Sequence, residues 1–204
     1  MIKIYSMPLS GHGHRARLAA SLMGVPFEVV PVNEMEGERR GEAFLGLNPL
    51  GQVPVIVDGD RVVRDSNAIL LYLAETYDGQ GRFLPKDPGL RAEVYEWLGA
   101  AAGHIFRGPN MARLIKLFGL PGDMEAAKAV SATIFDVMER RLEGRTWLVG
   151  DGPTLADIAC YSYIAVADEG GLSLAGHPNL QAWLAAVEGL DGFVAMPKSQ
   201  PAAA

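Results

Sequence analysis

Isoleucines at positions 2 and 4 alternate with polar neighbours, so residues 1–5 read as a short strand. Residues 8–13, with Pro8, Gly11 and Gly13, are a loop. Over residues 15–23 the apolar spacing becomes helical, with Leu18, Ala19 and Leu22 inward, and Gly24-Val25-Pro26 ends the run. Residues 27–32 form a second strand, so the chain opens βαβ, which requires a parallel pair. Residues 34–41 are polar and glycine-containing and predict a mobile loop, and residues 42–47 at most a short helix. Val53 to Val57 is an apolar, β-branched run, but Pro54 lies inside it; proline donates nothing to a ladder, so the strand is interrupted or at an edge there. Asp58-Gly59-Asp60 then turns into a strand at residues 61–64. Asp65 or Ser66 caps the next helix, whose Ile69, Tyr72, Leu73 and Tyr77 share a face.

Gly79, Gly81, Pro85 and Pro88 mark residues 79–89 as a linker, and beyond it the pattern is helical throughout. Runs at 90–107 and 110–118 are separated by a break or kink at Gly108-Pro109, followed by 123–142, 154–168 and 180–190. The 154–168 run is apolar nearly all round, the mark of a buried central helix. Thr154 and Asp157, three apart at its start, form a capping box in which each side chain satisfies the other's backbone N–H. That role is structural, so Asp157 is not a catalytic candidate.

Composition narrows the function. The 204 residues are 49% hydrophobic with a net charge of −6 and no Lys/Arg-rich run, which argues against nucleic acid and anionic membrane surfaces as partners. One cysteine, Cys160, excludes an intramolecular disulfide and fits a reducing compartment. Without a charged-then-apolar leader or a run of about 20 apolar residues, a cytoplasmic protein is expected. Four histidines and the cysteine show no metal-ligand spacing, so no metal is expected. Only the 201–204 tail is of low complexity.

Two places carry chemistry. A helix start at Asp65-Ser66 offers backbone N–H groups to a carboxylate and an acid to an ammonium, the two ends of an amino acid or γ-glutamyl group. Ahead of it lie Asn48-Pro49-Leu50-Gly51-Gln52-Val53-Pro54-Val55-Ile56-Val57-Asp58-Gly59, then Asp65-Ser66-Asn67-Ala68-Ile69-Leu70-Leu71-Tyr72-Leu73. This stretch resembles the glutathione-binding half of the soluble glutathione transferase family, Asn-Pro-x-Gly-x-Val-Pro-x-Leu-x-Asp-Gly followed by Glu/Asp-Ser-x-Ala-Ile-x-x-Tyr-Leu, with Ile56 for the usual leucine. The Thr154-x-x-Asp157 box matches the same family's helical half. The resemblance implies an α+β two-domain protein. A thioredoxin-like βαβαββα domain (residues 1–78) and a linker (79–89) precede an all-α helical bundle (90–204).

The resemblance also assigns roles. Val53 pairs with the cysteinyl backbone beside Gln52, and Pro54 is the cis-proline that holds Val53. Asp65 and Ser66 take the γ-glutamyl end, and Arg40 stands where the family has a basic residue for the glycyl carboxylate. Glutathione reacts as the thiolate, which a donor and a positive potential stabilise. Pro8-Leu9-Ser10 matches the serine-type members, implying that Ser10 donates to the sulfur; the alternative is a helix cap and nothing more. Those members often carry arginine four residues after the serine, where this chain has His14 followed by Arg15. Ser10-Gly11-His12 resembles a bacterial variant with asparagine in the third place, so His12 is a second candidate for the sulfur, against a plain solvated histidine. Tyr5 lies within a strand and reads as a packed aromatic.

The implied enzyme is a glutathione S-transferase of the bacterial serine type, a cytoplasmic homodimer adding glutathione, its co-substrate, to small apolar electrophiles in detoxification. A glutathione-dependent reductase, lyase or isomerase is the alternative enzyme, although its usual cysteine is absent from position 10. A non-catalytic glutathione-binding or regulatory module is the alternative outside catalysis; the intact Gln52-Val53-Pro54 and Asp65-Ser66 set argues against it. On the fourth helix Phe106, Met111 and Ile115 offer apolar surface and Arg107 or Arg113 a charge, without an assigned role.

Overall fold

The computed structural model describes residues 1–33 and 37–199. Part of the 34–41 loop and the 201–204 tail lie outside the described residues; from Glu38 to Arg40 the chain makes a single 3₁₀ turn. The first half contains β1 (Ile2–Ser6), α1 (Gly11–Leu22), β2 (Phe27–Pro31), α2 (Glu42–Leu47), β3 (Val55–Asp58), β4 (Arg61–Arg64) and α3 (Ser66–Tyr77). The sheet order is β2-β1-β3-β4. β1 and β2 are parallel with Ile4 opposite Val29, while β1/β3 and β3/β4 are antiparallel with Ile4 opposite Ile56 and Ile56 opposite Val63. The alternation of β1 explains the layering: Ile2, Ile4 and Ile56 join α1 and α3 in the main core. On the other face Val32, Val55 and Phe44 of α2 make a smaller cluster that Tyr5 joins, its ring 6.4 Å from that of Phe44.

Helices α4 (Pro88–Ala100), α5 (Met111–Phe118), α6 (Met124–Arg141), α7 (Leu155–Ala165) and α8 (Pro178–Glu188) follow. Asp87 caps α4 by accepting from Leu90 N, so this helix starts inside the segment read as linker. Phe83 and Leu84 of that segment are buried, and the Phe83 carbonyl accepts from Leu155 N at the start of α7. Burial also revises the inward face of α3: Leu70 and Ala74 join Ile69 and Leu73 in the core, whereas Tyr77 is exposed and donates to the carboxylate of Asp58.

Of the break or kink expected at Gly108-Pro109, the break is absent. Residues Ala101–Asn110 form a π-helical stretch that carries α4 into α5. Proline lacks an N–H and crowds the preceding turn, and the wider i→i+5 winding accommodates both defects. Gly108 is there for proximity, because a Cβ would stand 2.9 Å from the backbone nitrogen of Ser131 on α6.

Helix α7 is buried along its length, as its apolar pattern predicts, and ends at Ala165, ahead of a 3₁₀ turn at Ala167–Gly170. Its capping box is formed: Asp157 Oδ2 accepts from Thr154 N and Thr154 Oγ1, at 2.8 and 3.1 Å. Asp157 Oδ1 also accepts from Leu148 N and Trp183 Nε1, joining the cap to α8. After α8 the chain crosses back over α1, where Ser21 Oγ donates to Gly192 O.

Candidate active site

Ser10 occupies the N-cap of α1, its Oγ accepting from Gly13 N at 3.1 Å. That bond uses the oxygen as acceptor and leaves the hydroxyl hydrogen to donate elsewhere; no acceptor for it stands among the described residues. Capping and donation are therefore compatible at Ser10. The first turn of α1 lies against Tyr163 of α7: a Cβ on Gly11 would sit 2.5 Å from its ring.

His12 does not hang free in solvent. Its ring lies 5.2 Å from Tyr163 and 5.9 Å from Phe106, centroid to centroid. Arg15 Nη1, which can only donate, is 3.0 Å from His12 Nδ1, so Nδ1 is the bare nitrogen and the proton sits on Nε2. Ser66 Oγ donates to the same Nδ1 at 3.2 Å and accepts from Arg15 Nη1 at 3.4 Å. Burial, and secondarily the Arg15 charge, push His12 down to about 3. His12 is thus a neutral ring at physiological pH and a poor base, and its Nδ1 joins the start of α1 to the start of α3.

Arg15 is fully buried, with Nε and Nη2 unpartnered among the described residues. Burial lowers its pKa, while Tyr163, Cys160 and Asp65 act the other way. A guanidinium stays charged under such a shift, so positive potential concentrates beneath Ser66. In the sequence Arg15 stands only beside a departure from the family pattern; its i+3 spacing from His12 on α1 is the signal that marks it.

Asp65 is the N-cap of α3, its Oδ1 accepting from Asn67 N at 2.8 Å and Ala68 N at 3.1 Å. Its Oδ2 takes no hydrogen bond among the described residues and is exposed with the rest of the side chain. The backbone there has φ 69°. Ser66 is buried.

The Val53–Pro54 peptide is cis, the isomer the resemblance implies. The ladder to β1 begins at Val55, so Val53 lies beyond it, half-buried beside Tyr5 and Met7. Asn48 shapes this approach: buried, it accepts from Leu50 N through Oδ1 and donates from Nδ2 to Gln52 O at 2.7 Å. Its role was hidden behind the turn signal of Asn48-Pro49. The Gln52 side chain is exposed, as is Arg40, whereas Arg39 beside it donates to Gly51 O at 3.2 Å.

The structure therefore joins Ser66 to His12, puts Ser10 in the same first turn of α1, and leaves Arg40 and Gln52 at the surface. Of the two arginines considered on the helical side, Arg107 is exposed and Arg113 is buried against Glu169 at 2.6 Å. Cys160 is fully buried, its thiol pushed up to about 12 by that burial, so it supplies no accessible thiolate for disulfide exchange.

Comparison with known proteins gives a consistent picture. The glutathione S-transferase N-terminal domain model matches residues 9–76, and the C-terminal domain model residues 122–191. Glutathione S-transferase 3 of Zea mays is 32% identical over 205 residues, covering 94% of this chain and 91% of the maize protein. A solved glutathione S-transferase from Pseudomonas fluorescens superposes with a TM-score of 0.90 at 35% identity, over 97% of this chain and 99% of that one. A glutathione transferase homolog from Drosophila mojavensis, solved with bound glutathione, has a TM-score of 0.83 at 26% identity, over 93% and 88% of the two chains.

Proposed function

This chain belongs to the glutathione S-transferase family, and on that premise we propose how its own residues handle glutathione. The γ-glutamyl end sits at the start of α3. Its carboxylate meets the backbone N–H of Ser66, which the Asp65 cap on Asn67 and Ala68 does not use, above the buried Arg15 charge, and its ammonium meets Asp65 Oδ2. The cysteinyl backbone pairs with Val53, which the ladder leaves free, while Pro54 and Gln52 shape that edge. Arg40 takes the glycyl carboxylate. The sulfur then faces Ser10, whose hydroxyl donates to the thiolate.

The observation that carries this reading is the state of Ser10: a cap whose oxygen is engaged by Gly13 and whose O–H is uncommitted, at the start of α1 beside the Ser66–His12–Arg15 network. The O–H and the positive helix end both favour the thiolate over the thiol. The thiolate sulfur forms a bond to an electrophilic carbon; the leaving group departs with the electron pair, or in an addition the substrate takes up a proton. Lowering the thiol pKa raises the amount of nucleophile, and holding both partners supplies proximity. His12, neutral and bound to Ser66, orients the glutamyl end and moves no proton.

The finer assignment is a transferase of the bacterial serine type, a cytoplasmic homodimer that detoxifies small apolar electrophiles. Pro8-Leu9-Ser10 supports the serine assignment. No helix among the described residues is long and apolar enough to cross a membrane.

Ultraviolet difference titration of bound glutathione tests the central role, because it reports thiolate directly. The wild type should show a depressed thiol pKa, and Ser10→Ala should raise it by one unit or more, on the order of a tenfold loss of thiolate below the pKa. A depressed pKa that survives in Ser10→Ala would remove the role from Ser10.

A further inference from the structure

Resting on the proposed role of Ser10, we infer that Arg113 is a positioning residue for that serine, held in place by Glu169 and the segment that follows α8. Arg113 lies on α5, far along the chain from Ser10, and is 2% exposed. Its Nη1 donates to the carbonyl of Leu9 at 2.8 Å. That carbonyl belongs to the peptide that delivers Ser10, so the bond fixes the plane from which the serine leaves the loop. On its other edge Arg113 Nε donates to Glu169 Oε2 at 2.6 Å. Glu169 Oε1 accepts from Ser199 N and Ser199 Oγ at 2.5 and 2.7 Å. The chain of contacts runs Ser199, Glu169, Arg113, Leu9 and ends next to the sulfur's partner.

Geometry leaves little slack. A Cβ on Gly170 would lie 3.0 Å from Arg113 N, so α5 and the Glu169 turn are in backbone contact. Arg113 and Glu169 are both nearly out of solvent, with side-chain exposures of 2% and 7%. In such surroundings an ion pair is weakly screened, and removing one partner strands the other. Arg113 touches no reacting atom in this scheme. It acts by holding the Leu9–Ser10 peptide, and the hydroxyl direction follows.

The test uses the bound thiol as its readout, which a purely structural role would leave unmoved in a folded protein. Thiolate absorbance of bound glutathione is followed against pH in the wild type, Ser10→Ala, Glu169→Gln, and Ser10→Ala combined with Glu169→Gln. Glu169→Gln should raise the thiol pKa by about half a unit, roughly a threefold loss of thiolate, with the KM for glutathione unchanged. In the Ser10→Ala background the same change should add nothing, because the two act through one hydroxyl. Ser199→Ala removes one donor to Glu169 at a half-buried position away from the core; it should shift the pKa the same way by less, and it keeps the test open if Glu169→Gln does not fold. A rise in Ser10→Ala with no movement in Glu169→Gln or Ser199→Ala overturns the inference and leaves the role of Ser10 standing. No rise in Ser10→Ala removes that role, and the inference with it.

Discussion

Asp65 shows how much chemistry one backbone angle carries. Among the described residues it is the one non-glycine with positive φ, a conformation that costs on the order of 1–3 kcal/mol. The twist lets Oδ1 cap α3 while Oδ2 stays open to solvent. Asp65→Asn separates the two duties. Asparagine has nearly the same shape and offers the same capping oxygen, so the melting temperature should move by no more than a few degrees. Glutathione affinity should drop by about tenfold or more, since a charge-assisted bond worth roughly 1.5–3 kcal/mol is lost. Calorimetry that found the affinity intact would reduce Asp65 to a cap. The Asp65-Ser66 pair itself was legible, because the acid and hydroxyl stand directly before an apolar helical run. The dihedral was not, nor was the packing of His12 against Phe106 and Tyr163, which lie about 90 and 150 positions further along the chain.

Among the elements, the capping box of α7 and the strand–turn–strand–helix at β3, β4 and α3 were readable because each is decided by residues within a few positions. The passage from α4 to α5 was not, because Gly108-Pro109 has two local meanings and a distant helix chooses between them. Read locally, the pair ends a helix; packed against Ser131, it continues one as a π-helical stretch. Gly108→Ala decides which effect governs. An exposed helical glycine gains about 1 kcal/mol on becoming alanine. Here the new Cβ meets backbone at 2.9 Å and has to push α6 away, which costs about 1–3 kcal/mol. The urea midpoint should therefore fall at an unchanged denaturant slope. A rise would mean that the helices part without cost.

At the scale of the whole molecule, His14 is where three regions meet. It is fully buried on α1, its Nε2 donating to Val194 O at 2.7 Å and its Nδ1 accepting from Ser162 Oγ of α7 at 2.8 Å. Burial pushes its pKa down to about 4, only partly countered by the Val194 bond. In the unfolded chain the same imidazole takes up a proton below about 6.5, so from there down to about pH 4 the unfolded state binds more protons and stability is lost as pH falls. The loss at the lower end is about 3 kcal/mol for this group, in full effect only below pH 4. His12, pushed the same way, adds to it. Urea midpoints at pH 7 and pH 5 should show the decline, and His14→Asn should flatten it; equal midpoints in the wild type would contradict a neutral, buried His14. The sequence pointed to a sheet half and a helical half, but not to this seam, since one imidazole reaches partners 148 and 180 positions away. That seam also limits how family members can be recombined. A hybrid joining the first 87 residues of this chain to another member's helices would keep His14 and Leu9 but take the groups that face them from the other chain. The parts that must be inherited together are therefore α1, the Leu9 loop, α5, α7 and the segment after α8, and a crossover placed in the composition-defined linker would cut through that set.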